Sequence, residues 1–231
     1  MVSSKLDGPR LPPASGQAKQ LVVLLHGYGA DGNDLIGLAP YLQRLLPDAA
    51  FVAPNAPERV PGSPFGYQWY SLGNYDPNMM RRDPRHAAET YRRMQLGAEG
   101  VAATLNAFLD EELARLRFTD ERLALVGFSQ GTMMALYVGL RRPRAPACIV
   151  GFSGALVGGD RLKDEITVRP PVLLIHGDAD PVVPIEAMFG AVEGLGAAGV
   201  AVQWHVSQGA AHTIAEDGFL MAGKFLAEHL R

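Results

Sequence analysis

The chain has 231 residues, 48% of them hydrophobic and 19% charged, with a formal net charge of −3. That length suits one domain with a sizeable core, and the near-balanced charge offers no general field for a polyanion, so no nucleic acid partner is expected. The opening residues 1–20 form a polar segment broken by Pro and Gly, without the apolar run of a secretory signal, and no later stretch reaches the roughly 18 apolar residues of a spanning helix. A cytoplasmic protein without integral membrane association is the expectation. The single cysteine, Cys148, lies in the apolar run ACIVGF and reads as a buried structural thiol with no intrachain disulfide open to it.

Residues 21–231 read as one continuous domain. Leu21 to Leu25 make a short apolar run ending in His-Gly-Tyr-Gly-Ala-Asp, as a buried strand followed by a tight loop would. Helical spacing follows in LIGLAPYLQRLL, then a short strand near Phe51 to Ala53. The stretch from Pro54 to about His86 is long for a plain connection and predicts a wall or lid over a substrate pocket. From Tyr91, the positions Met94, Ala98, Val101, Leu105, Phe108, Leu109, Leu113 and Leu116 trace one face of a long helix. Three apolar strands are expected at Leu123–Val126, Ala147–Val150 and Val172–Ile175, and a last one near Val200–Val206, before His212 and a terminal helix. Continuous apolar strands separated by helical crossovers predict an α/β class with a predominantly parallel central sheet and helices on both faces.

The sharpest local signal is Gly127-Phe128-Ser129-Gln130-Gly131, set between the strand ERLALV and the helix-like TMMALYVGL. A strand, a sharp glycine-flanked turn and a helix expose the Ser129 hydroxyl at a strand end, as nucleophilic catalysis by serine requires. Gly151-Phe152-Ser153-Gly154-Ala155 imitates this elbow, but it lacks glycine two positions after the serine and enters no clear helix. Ser153 therefore reads as part of a strand-end turn.

These segments resemble the phospholipase/carboxylesterase family of α/β-hydrolases, which includes acyl-protein thioesterases and small bacterial carboxylesterases. The resemblance rests on LLHGYGADGND, GFSQGTMMALY, GFSGAL, LLIHGDADPVVP and AHTIAEDGF, in that order along most of the chain. It implies the α/β-hydrolase fold, with Ser129 as nucleophile, Asp180 as the acid and His212 as the base. The order serine, acid, histidine agrees with that fold independently.

Of the 6 histidines, His212 follows Gly209-Ala210-Ala211 in a loop that can bring an imidazole beside the serine. His205 lies in an alternating strand, His229 in the terminal helix and His86 in a charged run, all suited to structural or solvent-facing roles. His176 stands near Asp178 and Asp180, yet H-x-D-x-D is no established zinc spacing and nothing completes a metal site. Asp178 follows Gly177 closely and suits a turn-holding role, so Asp180, which the resemblance also selects, is preferred as the orienting acid over Asp178 and over Asp160 or Glu165.

A tetrahedral intermediate needs donors aimed at its developing oxyanion. The Gln130 backbone N–H supplies one because it follows the nucleophile, and the resemblance points to the Tyr28 N–H as the second. His26 is expected to shape this loop. GYGAD lacks the full G-x-G-x-x-G pattern, so NAD or ATP binding is not expected, and neither is any other cofactor or metal. Phe65, Trp69, Tyr70 and Met79, in an aromatic-rich segment, are expected to wall the acyl pocket. Departures from the family pattern include Trp69-Tyr70-Ser71, Thr132 after the elbow and Ala211 before the histidine.

The predicted activity is hydrolysis of small-to-medium acyl esters through an acyl-enzyme, with lysophospholipid or acyl-protein thioester cleavage as the nearest alternative. A catalytically silent binding protein is the competing class, disfavoured because all three reacting residue types remain. The resemblance also allows a homodimer, although the sequence does not reveal its surface.

Overall fold

Alternation inside the apolar runs decides how the sheet is covered. In a strand, successive side chains point to opposite faces, so a continuous apolar run must be buried on both. In β2 (Gln20–Leu25), Leu21, Val23 and Leu25 join one core cluster while Val22 and Leu24 join another. The computed structural model describes residues 5–73 and 75–230, so residues 1–4 of the polar opening lie outside the description.

The strands before and after β2 are β1 (Arg10–Leu11), β3 (Ala49–Val52), β6 (Leu123–Phe128), β7 (Cys148–Phe152), β8 (Val172–Gly177) and β9 (Val202–Ser207). Among the described residues they form one seven-stranded sheet in the order β1-β3-β2-β6-β7-β8-β9, parallel throughout except for the β1–β3 pair. The long helix α4 (Pro84–Leu116), α5 (Gln130–Gly139) and α7 (Glu186–Ala197) contribute Leu105, Met134 and Leu195 to the cluster on one face. On the other face, α1 (Gly32–Ile36), α2 (Ala39–Leu42) and α8 (Glu216–His229) contribute Leu35, Leu42 and Phe225. Each fully buried Val, Leu or Ile contributes about 1.5–3 kcal/mol, so this double-sided sheet dominates the stability. The predominantly parallel sheet with helices on both faces is the α/β arrangement expected.

The structure adds detail to three expectations. The polar opening is partly structured: Arg10 and Leu11 pair antiparallel with Val52 and Phe51, and Arg10 Nη2 lies 2.6 Å from the buried Glu112 Oε1 on α4. Alternating hydrophobicity could not reveal a two-residue edge strand. The long helix starts at Pro84 rather than Tyr91, because the Asp83 carboxylate caps it by accepting from Arg85 N–H. The Pro54–His86 stretch has secondary structure of its own. It holds the hairpin of β4 (Glu58–Arg59) with β5 (Tyr67–Gln68), the helix α3 (Pro77–Arg82) and the start of α4.

The loops after β2, β6, β8 and β9 all leave the carboxyl ends of parallel strands, the edge where such sheets hold ligands. They carry Tyr28, Ser129, Asp180 and His212. Among the described residues, no helix is long and apolar enough to cross a membrane.

Candidate active site

Ser129 sits at φ 53° and ψ −117° between β6 and α5, a conformation that is costly for a residue with a Cβ. Its backbone N–H donates to the Phe152 carbonyl at 2.8 Å, which holds the turn against β7. The elbow glycine Gly131 is needed for contact rather than for its dihedral angles: a Cβ there would lie 1.9 Å from the Leu25 carbonyl oxygen. Thr132 is accommodated directly after the elbow. Its Oγ1 lies 2.8 Å from the Gly127 and Phe152 carbonyls, and a Cβ on Gly151 would meet its methyl at 2.4 Å.

The second elbow-like motif is a near copy in backbone. Gly127 and Phe128 pair in register with Gly151 and Phe152, and Ser153 has φ 47°. Ser153 differs by being 1% exposed with a buried, unpartnered Oγ, whereas Ser129 lines an open cavity.

Asp180 and His212 meet although 32 residues separate them. His212 Nδ1 donates to Asp180 Oδ2 at 2.7 Å, which leaves Nε2 as the free ring nitrogen. The other carboxylate oxygen, Oδ1, accepts from Val182 N–H at 2.8 Å and Val183 N–H at 2.9 Å. His176 Nε2 donates to the Val183 carbonyl at 2.8 Å and lies 3.4 Å from Asp180 Oδ2. Burial opposes ionisation of Asp180, but the hydrogen bonds from His176, His212 and the Val183 N–H outweigh it and hold the carboxyl well below the usual range. The Phe128 ring stacks at a tilt on His212, with centroids 4.9 Å apart.

His26, His205 and His229 are engaged elsewhere, and the buried His86 Nε2 has no hydrogen-bond partner among the described residues. His205 Nε2 pairs with Asp217 at 2.8 Å, His229 Nδ1 donates to the Phe225 carbonyl at 2.8 Å, and His86 lies in the first turn of α4. His26 Nδ1 donates to the Gly27 carbonyl at 2.8 Å while Nε2 accepts from Ala56 N–H at 2.9 Å, so its ring is neutral. Burial, its main perturbation, lowers the His26 pKa and favours that neutral form. Among the described residues, no group of three or more His, Cys, Asp or Glu is arranged to hold a metal ion.

Ser129, Gln130, Tyr28 and His212 line a cavity of about 370 Å³, a size typical of small-molecule sites. Gln130 is the first residue of α5, so its N–H has no carbonyl one turn earlier within the helix to bond. The next two amides after Tyr28, those of Gly29 and Ala30, donate to Tyr67 and Gly27 carbonyls.

The expected pocket wall is corrected. The cavity is walled instead by Leu72, Tyr75, Met94, Met133, Val182 and Val183. Phe65 is 78% exposed near the hairpin tip, and Met79 projects from α3 at 43% exposure. Trp69 and Tyr70 are buried beneath the cavity, where the Tyr70 hydroxyl meets Met133 Sδ at 3.2 Å. An aromatic-rich composition signals burial without saying which side of the wall a ring occupies. Of the functional contacts missed in the sequence, the Val182 and Val183 amides had a signal: an Asp accepting from N–H groups two and three residues ahead is a common turn. Tyr75 had none.

Residues 7–230 match the model of the phospholipase/carboxylesterase family. The chain belongs to that family. Among members similar to it, acyl-protein thioesterase 1 of Saccharomyces cerevisiae is 31% identical over 193 residues, covering 78% of each chain. An Escherichia coli protein named esterase YpfH is 29% identical over 93% of this chain and 83% of its own. The crystal structure of esterase PE8 superimposes with a TM-score of 0.89 at 46% identity, covering 98% of this chain and 100% of that one. Hydrolysis of ester bonds is the activity that family membership supports.

Proposed function

We propose that the chain is a serine carboxylesterase that hydrolyses small-to-medium acyl esters through Ser129, His212 and Asp180. The observation that carries this reading is the 2.7 Å bond from His212 Nδ1 to the buried Asp180, beside the cavity that Ser129 also lines. An ionised Asp180 keeps the proton on Nδ1 and stabilises the imidazolium, so Nε2 is left to take the Ser129 Oγ proton as that oxygen attacks the ester carbonyl. The Tyr28 and Gln130 N–H groups receive the negative charge that develops on the carbonyl oxygen. The His212 proton then passes to the departing alcohol, leaving an acyl-serine. Water gives its proton to His212, attacks the acyl carbon and releases the acid while Ser129 Oγ regains a proton. No cofactor enters this cycle.

The size of the cavity supports the small-to-medium preference. Cleavage of lysophospholipids or acyl-protein thioesters is the second reading, favoured by the thioesterase name of the 31% identical relative. A fluorophosphonate followed by peptide mass spectrometry should label Ser129, and Ser129→Ala should abolish both labelling and turnover. Label on Ser153, with activity surviving in Ser129→Ala, would overturn the assignment. A p-nitrophenyl ester series from acetate to palmitate should show kcat/KM rising and then falling. Rapid cleavage of palmitoyl thioesters with negligible oxygen-ester turnover would favour the second reading.

A further inference from the structure

Trp69 is fully buried, yet each of its N–H groups is directed at one half of the candidate oxyanion site. Its indole Nε1 donates to the His26 carbonyl at 2.9 Å, two residues before the Tyr28 amide. Its backbone N–H donates to Gln130 Oε1 at 2.9 Å, and Gln130 Nε2 returns a bond of 2.8 Å to the Tyr70 carbonyl. Gln130 thus carries a candidate oxyanion donor on its backbone and grips residues 69–70 with its side chain. The same segment holds the Tyr28 loop twice more: Gly29 N–H donates to the Tyr67 carbonyl at 2.9 Å, and Tyr67 N–H to the Ala30 carbonyl at 2.8 Å.

We infer that Trp69 is a positioning residue for oxyanion stabilisation, acting as a splint that holds the Tyr28 and Gln130 amides at a fixed separation. This inference rests on the proposed roles of Ser129 and those two amides. The two amides belong to loops after different strands, β2 and β6, and the pairing between these two strands stops before either donor, its last pair being Leu25 with Gly127. Oxyanion donors act over a narrow range of distance, so donors on separate loops need a rigid cross-link near their ends. A buried Trp must pair both N–H groups in any role, and here the partners chosen are the two loops that carry the candidate donors, with Gln130 completing a two-bond clasp. Burial of both residues keeps water from competing for the bonds, and the neutral His26 ring, fixed at both nitrogens, anchors the carbonyl that Trp69 grips.

The test compares Trp69→Phe, which deletes the indole donor, with Gln130→Met, which deletes the clasp at similar length. Active sites are titrated with fluorophosphonate so that misfolded molecules do not count, and Tm is recorded for each variant. In both variants kcat per titrated site should fall roughly tenfold to a hundredfold with KM within about twofold, since displaced donors lose part of the effect of removed ones. The Ki of an alkyl trifluoromethyl ketone should rise in parallel. Its carbonyl carbon bonds to Ser129 Oγ, the hydroxyl proton moves to His212, and an oxyanion forms. The matching methyl ketone, bound without addition, should keep its Ki. Because both variants break one splint, the double variant should cost little more than the worse single one. An unchanged kcat per titrated site and unchanged trifluoromethyl ketone Ki, with only Tm lowered, would overturn the inference and leave Ser129 as nucleophile. Absence of Ser129 labelling in the unsubstituted chain would instead overturn the proposed function, and the splint with it.

Discussion

Asp178 Oδ1 accepts a 2.6 Å hydrogen bond from the Gly209 N–H, joining the turn after β8 to the loop that carries His212. One residue on, Ala179 N–H donates to the Ala210 carbonyl at 3.0 Å. The neighbouring acid, Asp180, then meets His212 itself, so two acids two positions apart divide the work of holding the histidine loop and orienting its ring.

Replacing Asp178 by Ala should therefore lower kcat modestly. An exposed hydrogen bond to a charged acceptor contributes about 1.5–3 kcal/mol at most, and only part of its loss reaches the imidazole, which makes a loss of roughly threefold to tenfold the expected outcome. Asp178→Asn keeps an acceptor oxygen and should retain most activity. Steady-state kinetics on a p-nitrophenyl ester check both, and a loss in Asp178→Ala beyond that of Asp180→Asn would exchange the two roles.

Asp180→Asn should cost about a thousandfold or more in kcat, since an amide cannot stabilise the imidazolium and favours the wrong tautomer. Its stability effect has a defined pH dependence. The folded-state pKa of Asp180 is held below the ordinary value, so its contribution is fully present above the unfolded pKa of about 3.9 and is lost as pH falls through the folded value. The gap in unfolding free energy between the two proteins should be constant near neutrality and narrow below about pH 4. Urea titrations across that window would show it, and a gap that widens in acid would contradict the assigned ionisation.

Much of this arrangement was legible in the residues alone because it depends on local pattern. Apolar runs such as QLVVLL and CIVGF read as strands buried on both faces, and GFSQG placed between a strand and a helix located Ser129. Trp69 and Tyr75 were not legible, for different reasons. Trp69 stands in an aromatic cluster that composition assigns to the pocket wall, while its depth depends on partners at His26 and Gln130, 43 and 61 positions away. Tyr75 acts through the Val182 carbonyl 107 residues later, and a backbone acceptor leaves no mark in a sequence. The edge strand Arg10–Leu11 is too short for alternation to register.

Cys148 gives a prediction about reactivity. It is fully buried in β7, and burial pushes its thiol up to about 12. The thiolate is the reactive species, so iodoacetamide at pH 8 should leave the native protein unmodified and active, and should add one label after unfolding in guanidinium. Rapid native labelling, read by intact mass, would contradict the burial of this strand.

The last prediction concerns chain-length preference. The Tyr75 hydroxyl donates to the Val182 carbonyl at 2.6 Å, and both residues line the cavity beside Ser129. A larger groove of about 660 Å³ is lined by Tyr91, Leu156 and Pro184. Tyr91 and Met94, one turn apart on α4, face the groove and the cavity respectively, and Pro184 follows the cavity residue Val183 in the chain. Tyr75 lines the cavity and lies near enough to the groove residues Tyr91 and Arg81 to feel their charge. Tyr75→Phe removes the bond but keeps the ring, and should change the preferred ester little. Tyr75→Ala removes the ring as well and should move the optimum of the p-nitrophenyl series to longer chains. Each further methylene that finds apolar surface is worth about 0.8 kcal/mol, or roughly fourfold in kcat/KM, until the groove is filled. The unsubstituted enzyme should lose activity over the chain lengths where Tyr75→Ala gains it. An optimum that stays put in Tyr75→Ala, with acetate turnover intact, would mean that the groove takes no part in acyl binding and that another residue closes the pocket.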